Sequence, residues 1–84
     1  MSHRSVLDRL RDILEAVEEI LEFTEGMDTT SFASDAKTLK AVLADFAIIG
    51  ESASQLSEGV TQAYPDLPWR SMRAMRNLVI HAYF

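Results

Sequence analysis

Apolar residues recur at steps of three and four along the first quarter of the chain, a pattern that predicts a long amphipathic helix. Ser5, with Asp8 three residues later, is its predicted N-terminal cap, and Gly26 is its predicted stop. Glutamates between residues 15 and 25 occupy much of the opposite face and indicate a solvated surface rather than a metal site. The apolar positions are Val6, Leu7, Leu10, Ile13, Leu14, Val17, Ile20 and Leu21.

A second helical pattern follows a connector, residues 27–34, in which Phe32 is expected to pack in one short turn. Ser34 or Asp35 can cap this helix, and Pro65 should end it by Tyr64 because proline disfavours helix at the preceding residue. Gly50, with Ala53, predicts a close approach of another helix. The apolar positions are Leu39, Val42, Leu43, Phe46, Ala47, Ile49, Ala53, Leu56 and Val60.

A third helix is expected after Pro68, which fits a first helical position, with Trp69 as an anchor where two helices meet. At about 100° per residue, Met72, Met75, Val79 and Ala82 share its core face. Apolar groups mixed with polar ones on the other face suggest burial against a second molecule, or beneath a further C-terminal segment. That face holds Arg73, Ala74, Asn77, Ile80, His81 and Phe84.

These patterns predict a single all-α domain, residues 1–84, built as an antiparallel helical bundle of three visible helices. The pattern stops uncapped at Phe84, so a final helix is expected to be missing and the domain to be truncated at its C-terminus. The composition, with 48% hydrophobic and 25% charged residues, is that of a globular protein. There is no cysteine, signal peptide or membrane span, which fits a cytoplasmic protein.

The net charge of −5 is unevenly distributed. Residues 65–84 carry three arginines against one acid, for +2, whereas residues 1–26 and 27–64 carry −4 and −3. The basic segment also holds Arg76, Asn77 and His81, which could together cleave RNA. A histidine can move the proton of a 2′-hydroxyl, an arginine can hold the phosphate, and no metal or cofactor is required.

Spacing alone favours a structural role for these residues, with His81 in a packed interface and Arg76 paired with an acid. Residues five apart point about 140° apart on a helix, so Arg76 must curl round or a dimer must supply a composite cleft. Asn77 and His81, four apart, share a face. Glu51 is expected to be a surface or partly paired glutamate, although a buried acid with a role is the alternative.

The whole chain resembles the HepT-type toxins of the HEPN superfamily. Their motif of arginine, a polar residue, three more residues and histidine is matched by 76–81, and Tyr83 matches the tyrosine that HepT-type members carry two residues later. Flanking matches are more specific than the motif. They are 12–14, 48–51, 64–65, 68–70, 75–77 and 81–84.

This resemblance implies a metal-independent endoribonuclease toxin with Arg76 and His81 as the catalytic pair and Asn77 in support. It also implies a homodimer with both motifs in one cleft and a nucleotidyltransferase antitoxin, which could adenylylate Tyr83. Two alternatives remain: a non-catalytic helical partner that regulates a nucleotidyltransferase, and a nucleotide-binding module. Family members usually continue into a further helix, and the acidic net charge leaves the path of the RNA open.

Overall fold

The computed structural model describes residues 5–83, and this part of the chain forms helices and no strand. The helices are α1 (Val6–Phe23), α2 (Thr29–Ser34), α3 (Ala36–Ser54), α4 (Glu58–Ala63) and α5 (Trp69–Ala82). The long helix α3 contacts both α1 and α5. α1 runs antiparallel to α3, since Arg9 lies near Ser52 and Glu19 near Asp45. α5 also runs antiparallel to α3, since Arg76 lies against Gly50 and Val79 lies near Leu43. The predicted all-α, HEPN-like bundle is confirmed.

The predicted caps of the long helices are present. Ser5 Oγ accepts a hydrogen bond from the backbone N–H of Asp8 at 3.1 Å, and the Asp8 carboxylate accepts one from the N–H of Ser5 at 3.2 Å. Asp35 caps α3 by accepting from the N–H of Thr38 at 3.1 Å. Gly26, three residues after the end of α1, has a φ of +76°, which glycine adopts without strain. The helix ends are therefore encoded locally.

The prediction of one continuous helix from residue 35 to residue 64 was wrong. α3 ends at Ser54, whose hydroxyl donates to the carbonyl oxygen of Glu51 at 2.9 Å. Ser57 then caps α4 by accepting from the N–H of Val60. Serine side chains offer the backbone such alternatives to a continuing helix. The break between the two helices places Leu56 in the core.

The core lies where the three long helices meet. It consists of Ile13, Ala16, Ile49, Ala53, Leu56 and Trp69. Trp69 is the first residue of α5, so Pro68 lies one position earlier than predicted. Its indole Nε1–H donates to the carbonyl oxygen of Tyr64 at 2.9 Å, which satisfies the polar atom of a buried ring. This bond fixes the start of α5, as expected of an anchor at a helix corner.

The core covers only part of the predicted apolar faces. On α1, Ile13 and Ala16 are buried, whereas Leu14 and Leu21 are 57% and 66% exposed. On α5, Val79 is buried as predicted, but Ala82 is exposed. Ala82 lies about 60° round the helix from Val79, off the side that faces α3. Three long helices leave these apolar positions uncovered.

Candidate active site

The site is organised by a close contact between α3 and α5. A Cβ added at Gly50 would lie 2.6 Å from the backbone nitrogen of Arg76 and 2.8 Å from its Cβ, distances that side-chain carbons do not tolerate. Glycine therefore lets the backbone of α5 lie directly against α3 at this point. The close approach predicted from Gly50 is confirmed. It fixes the position from which the Arg76 side chain leaves its helix.

Arg76 pairs with the residue that follows this glycine. Its Nη1 lies 2.8 Å from Oε2 of Glu51, and Gln55 Nε2 donates to Oε1 of the same carboxylate at 3.2 Å. Both charged side chains are about half exposed, at 51% and 48%, so the pair contributes little to stability. Its effect is to orient the guanidinium. The prediction that Glu51 is a surface or partly paired glutamate, rather than a buried acid, is confirmed.

His81 lies in the last turn of α5 and is exposed. Because α5 is unbroken from Arg76 to His81, the two side chains leave the helix about 140° apart. Within residues 5–83, no hydrogen bond or ion pair of the structure joins them. Asn77 and Ile80 are exposed beside His81, and Ile80 is 45% exposed. One subunit thus holds Arg76 against α3 and turns His81 outward; Phe84, also expected on this face, lies outside the described residues.

Tyr83 follows directly after α5 and is 42% exposed. It lines a groove of about 360 Å³ between α3 and α5. The groove has an apolar floor, formed by Leu43, Ala44, Ala47 and Val79, and a single charged wall residue, Lys40. The phenol is therefore at a surface that a second molecule can reach.

Residues 13–84 of the chain match the model of the HepT-like family, described as ribonuclease HepT-like. This match spans the core, the Glu51–Arg76 pair and the 76–81 motif. The chain belongs to the HepT-like ribonuclease family.

Individual relatives of this HepT-like protein cover its full length. A protein of Methanocaldococcus jannaschii that bears the name RNase is 39% identical over 84 residues, which are 100% of this chain and 69% of the relative. A Thermococcus cleftensis protein named ribonuclease HepT is 43% identical over 81 residues, which are 96% of this chain and 74% of the relative. A second M. jannaschii RNase is 36% identical and is covered to 77%. No solved structure matches the chain.

Asp45 is a functional candidate of this HepT-like chain that sequence reasoning missed. It is only 3% exposed, and its Oδ2 atom has no hydrogen-bond partner among residues 5–83. Burial, and then a hydrogen bond and repulsion from Glu19, raise the pKa of Asp45 to about 6. The available signal was its place in the α3 pattern, three residues after Val42 and four before Ile49. A carboxylate at a core position is costly unless it is paired.

Replacing Asp45 with Asn is expected to stabilise the HepT-like domain at pH 7.5. Because the folded-state pKa is raised above the usual 3.8, the ionised carboxylate destabilises the fold by up to about 3 kcal/mol. This penalty is absent below about pH 4, grows between about pH 4 and pH 6, and is fully present above about pH 6. Chemical denaturation of the wild type and the variant at pH 7.5 and at about pH 4 would measure this difference in the free energy of unfolding. Asp66→Asn, at an exposed position, is the control and should change stability by less than about 0.5 kcal/mol.

Residues 5–83 form neither a metal site nor a membrane-spanning helix. No three of their His, Asp and Glu side chains are grouped so as to ligate a metal ion. None of their helices is both long and apolar enough to cross a bilayer.

Proposed function

We propose that this HepT-like protein is a metal-independent endoribonuclease in which Arg76 and His81 are the catalytic pair. The observation that carries the proposal is the fixing of Arg76 by Gly50 and Glu51 within a chain that matches the family from residue 13 onward. A guanidinium held in one place, with an exposed imidazole on the same helix, supplies the two groups that RNA cleavage needs. Asn77 has the supporting role of orienting either group.

The reaction that these groups support is transesterification within the RNA. The 2′-hydroxyl oxygen attacks the adjacent phosphorus while the bond from phosphorus to the 5′-oxygen breaks, leaving a 2′,3′-cyclic phosphate and a 5′-hydroxyl. The proton of the 2′-hydroxyl goes to the His81 imidazole, and the departing 5′-oxygen takes a proton from solvent water, to which the imidazolium then returns its own. Arg76 binds the phosphate and stabilises the charge on its equatorial oxygens. When phosphate arrives, it competes with Glu51 for the guanidinium.

The working site belongs to a homodimer in this proposal. Arg76 and His81 diverge within one chain, so a two-fold pairing of α5 with its copy brings the Arg76 of one protomer towards the His81 of the other. Ile80 supports this pairing, since it is a half-exposed apolar residue among polar neighbours on the His81 face. Two copies of the basic segment would then meet in one cleft. That cleft supplies positive charge in a protein whose net charge is −5.

Placing a charge on this face is expected to produce monomers. Ile80→Asp introduces a carboxylate into the proposed interface, where it loses its hydration without gaining a partner. Leu78→Asp is the matched control, because Leu78 is also exposed on α5 but lies about 160° round the helix. Light scattering of both variants would measure the mass. An Ile80→Asp protein that remains dimeric would remove this face from the interface.

In the cell, we place the protein in the cytoplasm as the toxin of a toxin–antitoxin pair, with a nucleotidyltransferase antitoxin as partner. Tyr83 is the residue at which such a partner would act. An adenylyl group on that phenol would add bulk and negative charge two residues from His81. RNA phosphate would be repelled from the site, and cleavage would stop.

The experiment that tests the proposal is cleavage of an end-labelled RNA in EDTA. We expect cleavage to persist in EDTA and the products to end in 2′,3′-cyclic phosphate. Products with 3′-hydroxyl ends would contradict the use of the 2′-hydroxyl as nucleophile. Absence of cleavage by folded, dimeric and unmodified protein would contradict the ribonuclease proposal. It would favour a non-catalytic partner of a nucleotidyltransferase, with Tyr83 as its exposed target.

A further inference from the structure

We propose that the groove between α1 and α3 binds an organic cation, an ammonium or guanidinium group, beside Asp45. This acidic groove has a volume of about 210 Å³, and it lies apart from the His81 face of α5. Its lining consists of Asp12, Glu15, Ala16, Glu19, Asp45 and Ile48. The proposal does not depend on ribonuclease activity.

The wall of the groove contains a carboxylate, that of Asp45, with an unsatisfied oxygen. Asp45 is 97% buried by its neighbours, and one of its oxygens accepts no hydrogen bond within the described part of the chain. Leaving a buried acceptor without a partner is costly, and more so for a charged group. The terminal torsion of an aspartate is soft, so a small rotation presents an oxygen to the groove. A hydrogen-bond donor that enters the groove gives this oxygen the partner that it lacks.

The groove that would receive such a donor is lined by acidic side chains. Asp12, Glu15 and Glu19 line the groove from α1, and no lysine, arginine or histidine of residues 5–83 lines it. Anions, including the phosphates of RNA or of a membrane surface, are therefore repelled. A metal ion is disfavoured, because no three acidic or histidine side chains of residues 5–83 are grouped to ligate one. A cation that donates several directed hydrogen bonds fits these walls better, and ammonium and guanidinium groups do so.

The acidic groove continues into a neighbouring hollow that reaches the partner of Arg76. Asp12 and Ile48 also line the next hollow along α1 and α3, whose other walls include Arg9, Glu51 and Ser52. Glu51 is the residue that holds Arg76. A molecule with two cationic groups could fill the acidic groove with one and reach Glu51 with the other. A lysine-rich or arginine-rich protein segment and a free polyamine share this chemistry.

Titration of the ¹⁵N-labelled protein with n-butylammonium and with ethylguanidinium, followed by amide chemical shifts, tests the proposal. We expect saturable shifts that centre on residues 12–19 and 45–48. The protein should be at pH 7.5, since a proton on Asp45 competes with the cation, and binding should weaken at pH 5. Asp12, Glu15 and Glu19 are the other titratable groups that face Asp45 across the groove.

The Asp45→Asn protein should bind these cations about tenfold more weakly or worse, since a charged hydrogen bond is lost. Asp66→Asn makes the same chemical change on an exposed linker and should bind like the wild type. Because asparagine relieves a buried charge, the Asp45 variant should remain folded. Equal binding by wild type and Asp45→Asn would overturn the proposal. So would shifts reproduced by sodium chloride at equal ionic strength, or saturation by Mg²⁺ in preference to the organic cations.

A second titration distinguishes the two sources of the cation. A terminally blocked dilysine peptide and putrescine both carry two positive charges. Tighter binding of the peptide, with shifts that extend to Glu51, assigns the groove to a basic protein segment. Tighter binding of putrescine assigns it to a free polyamine. Failure of both to saturate the groove would overturn the proposal.

Discussion

Replacing His81 with alanine is expected to lower RNA cleavage in EDTA by about 100- to 10,000-fold, the range for removal of a general acid or base, which is the role proposed for His81. The His81 side chain is exposed and forms no hydrogen bond with the other described residues, so the variant should keep its stability. The loss should fall on kcat, because the imidazole acts on protons that move in the transition state. Single-turnover cleavage with protein in excess measures this rate.

The second histidine of the sequence provides the control for this experiment. His3 is the only other histidine of the sequence, so His3→Ala makes the same chemical change elsewhere in the chain. It should leave the cleavage rate unchanged. A His81→Ala protein as active as the wild type would exclude His81 from catalysis, and activity lost equally in both variants would show that the loss is not specific to His81.

Replacing Gly50 with alanine is expected to destabilise the fold by about 1–3 kcal/mol, which corresponds to a fall in Tm of several degrees or more. The new Cβ would meet backbone and Cβ atoms of Arg76 at 2.6 and 2.8 Å, and these cannot rotate away as the end of a flexible side chain can. α5 must therefore move off α3. The movement would also lengthen the 2.8 Å contact between Arg76 and Glu51, so cleavage should fall with stability.

Gly59→Ala is the matched control for this substitution. Gly59 lies in α4, and a Cβ there would have Ser57 Oγ as its nearest neighbour at 3.8 Å, an ordinary contact. Alanine is the better helix former by about 1 kcal/mol, so this variant should be neutral or more stable. Thermal unfolding of the two variants separates the clash from the general effect of replacing glycine in a helix. Equal Tm values would show that α3 and α5 have room at Gly50.

The helices could be predicted because their signals are local. Ser5, Asp35 and Trp69 lie where capping and anchoring rules place them, and their hydrogen bonds are present. The break after Ser54 was missed because serine hydroxyls and a helix compete closely for the backbone, and the apolar spacing continues across the break. Burial was predicted less well, since Leu14 and Leu21 fit an amphipathic pattern and yet are exposed.

Some features of the candidate site could likewise be predicted from the sequence, whereas others depend on how the helices pack. The positions of Arg76, Asn77 and His81 in one motif, and the small residue at Gly50, could be read directly from the chain. Their roles as catalytic and supporting groups remain predictions. Pairing of Arg76 with an acid was one interpretation of the sequence, but the identity of that acid, Glu51, could not be foreseen. The two residues are 25 positions apart, and their contact depends on how α3 and α5 pack.

The sequence by itself determined the helical class, the helix caps and the family of this protein, because periodicity, capping and motif spacing are properties of neighbouring residues. Tertiary structure alone decided that Glu51 is the acid that holds Arg76 and that Asp45 is buried. Those features follow from the distance and rotation between helices. Such quantities are set by the packing of the whole core and are not written in any one segment of the chain.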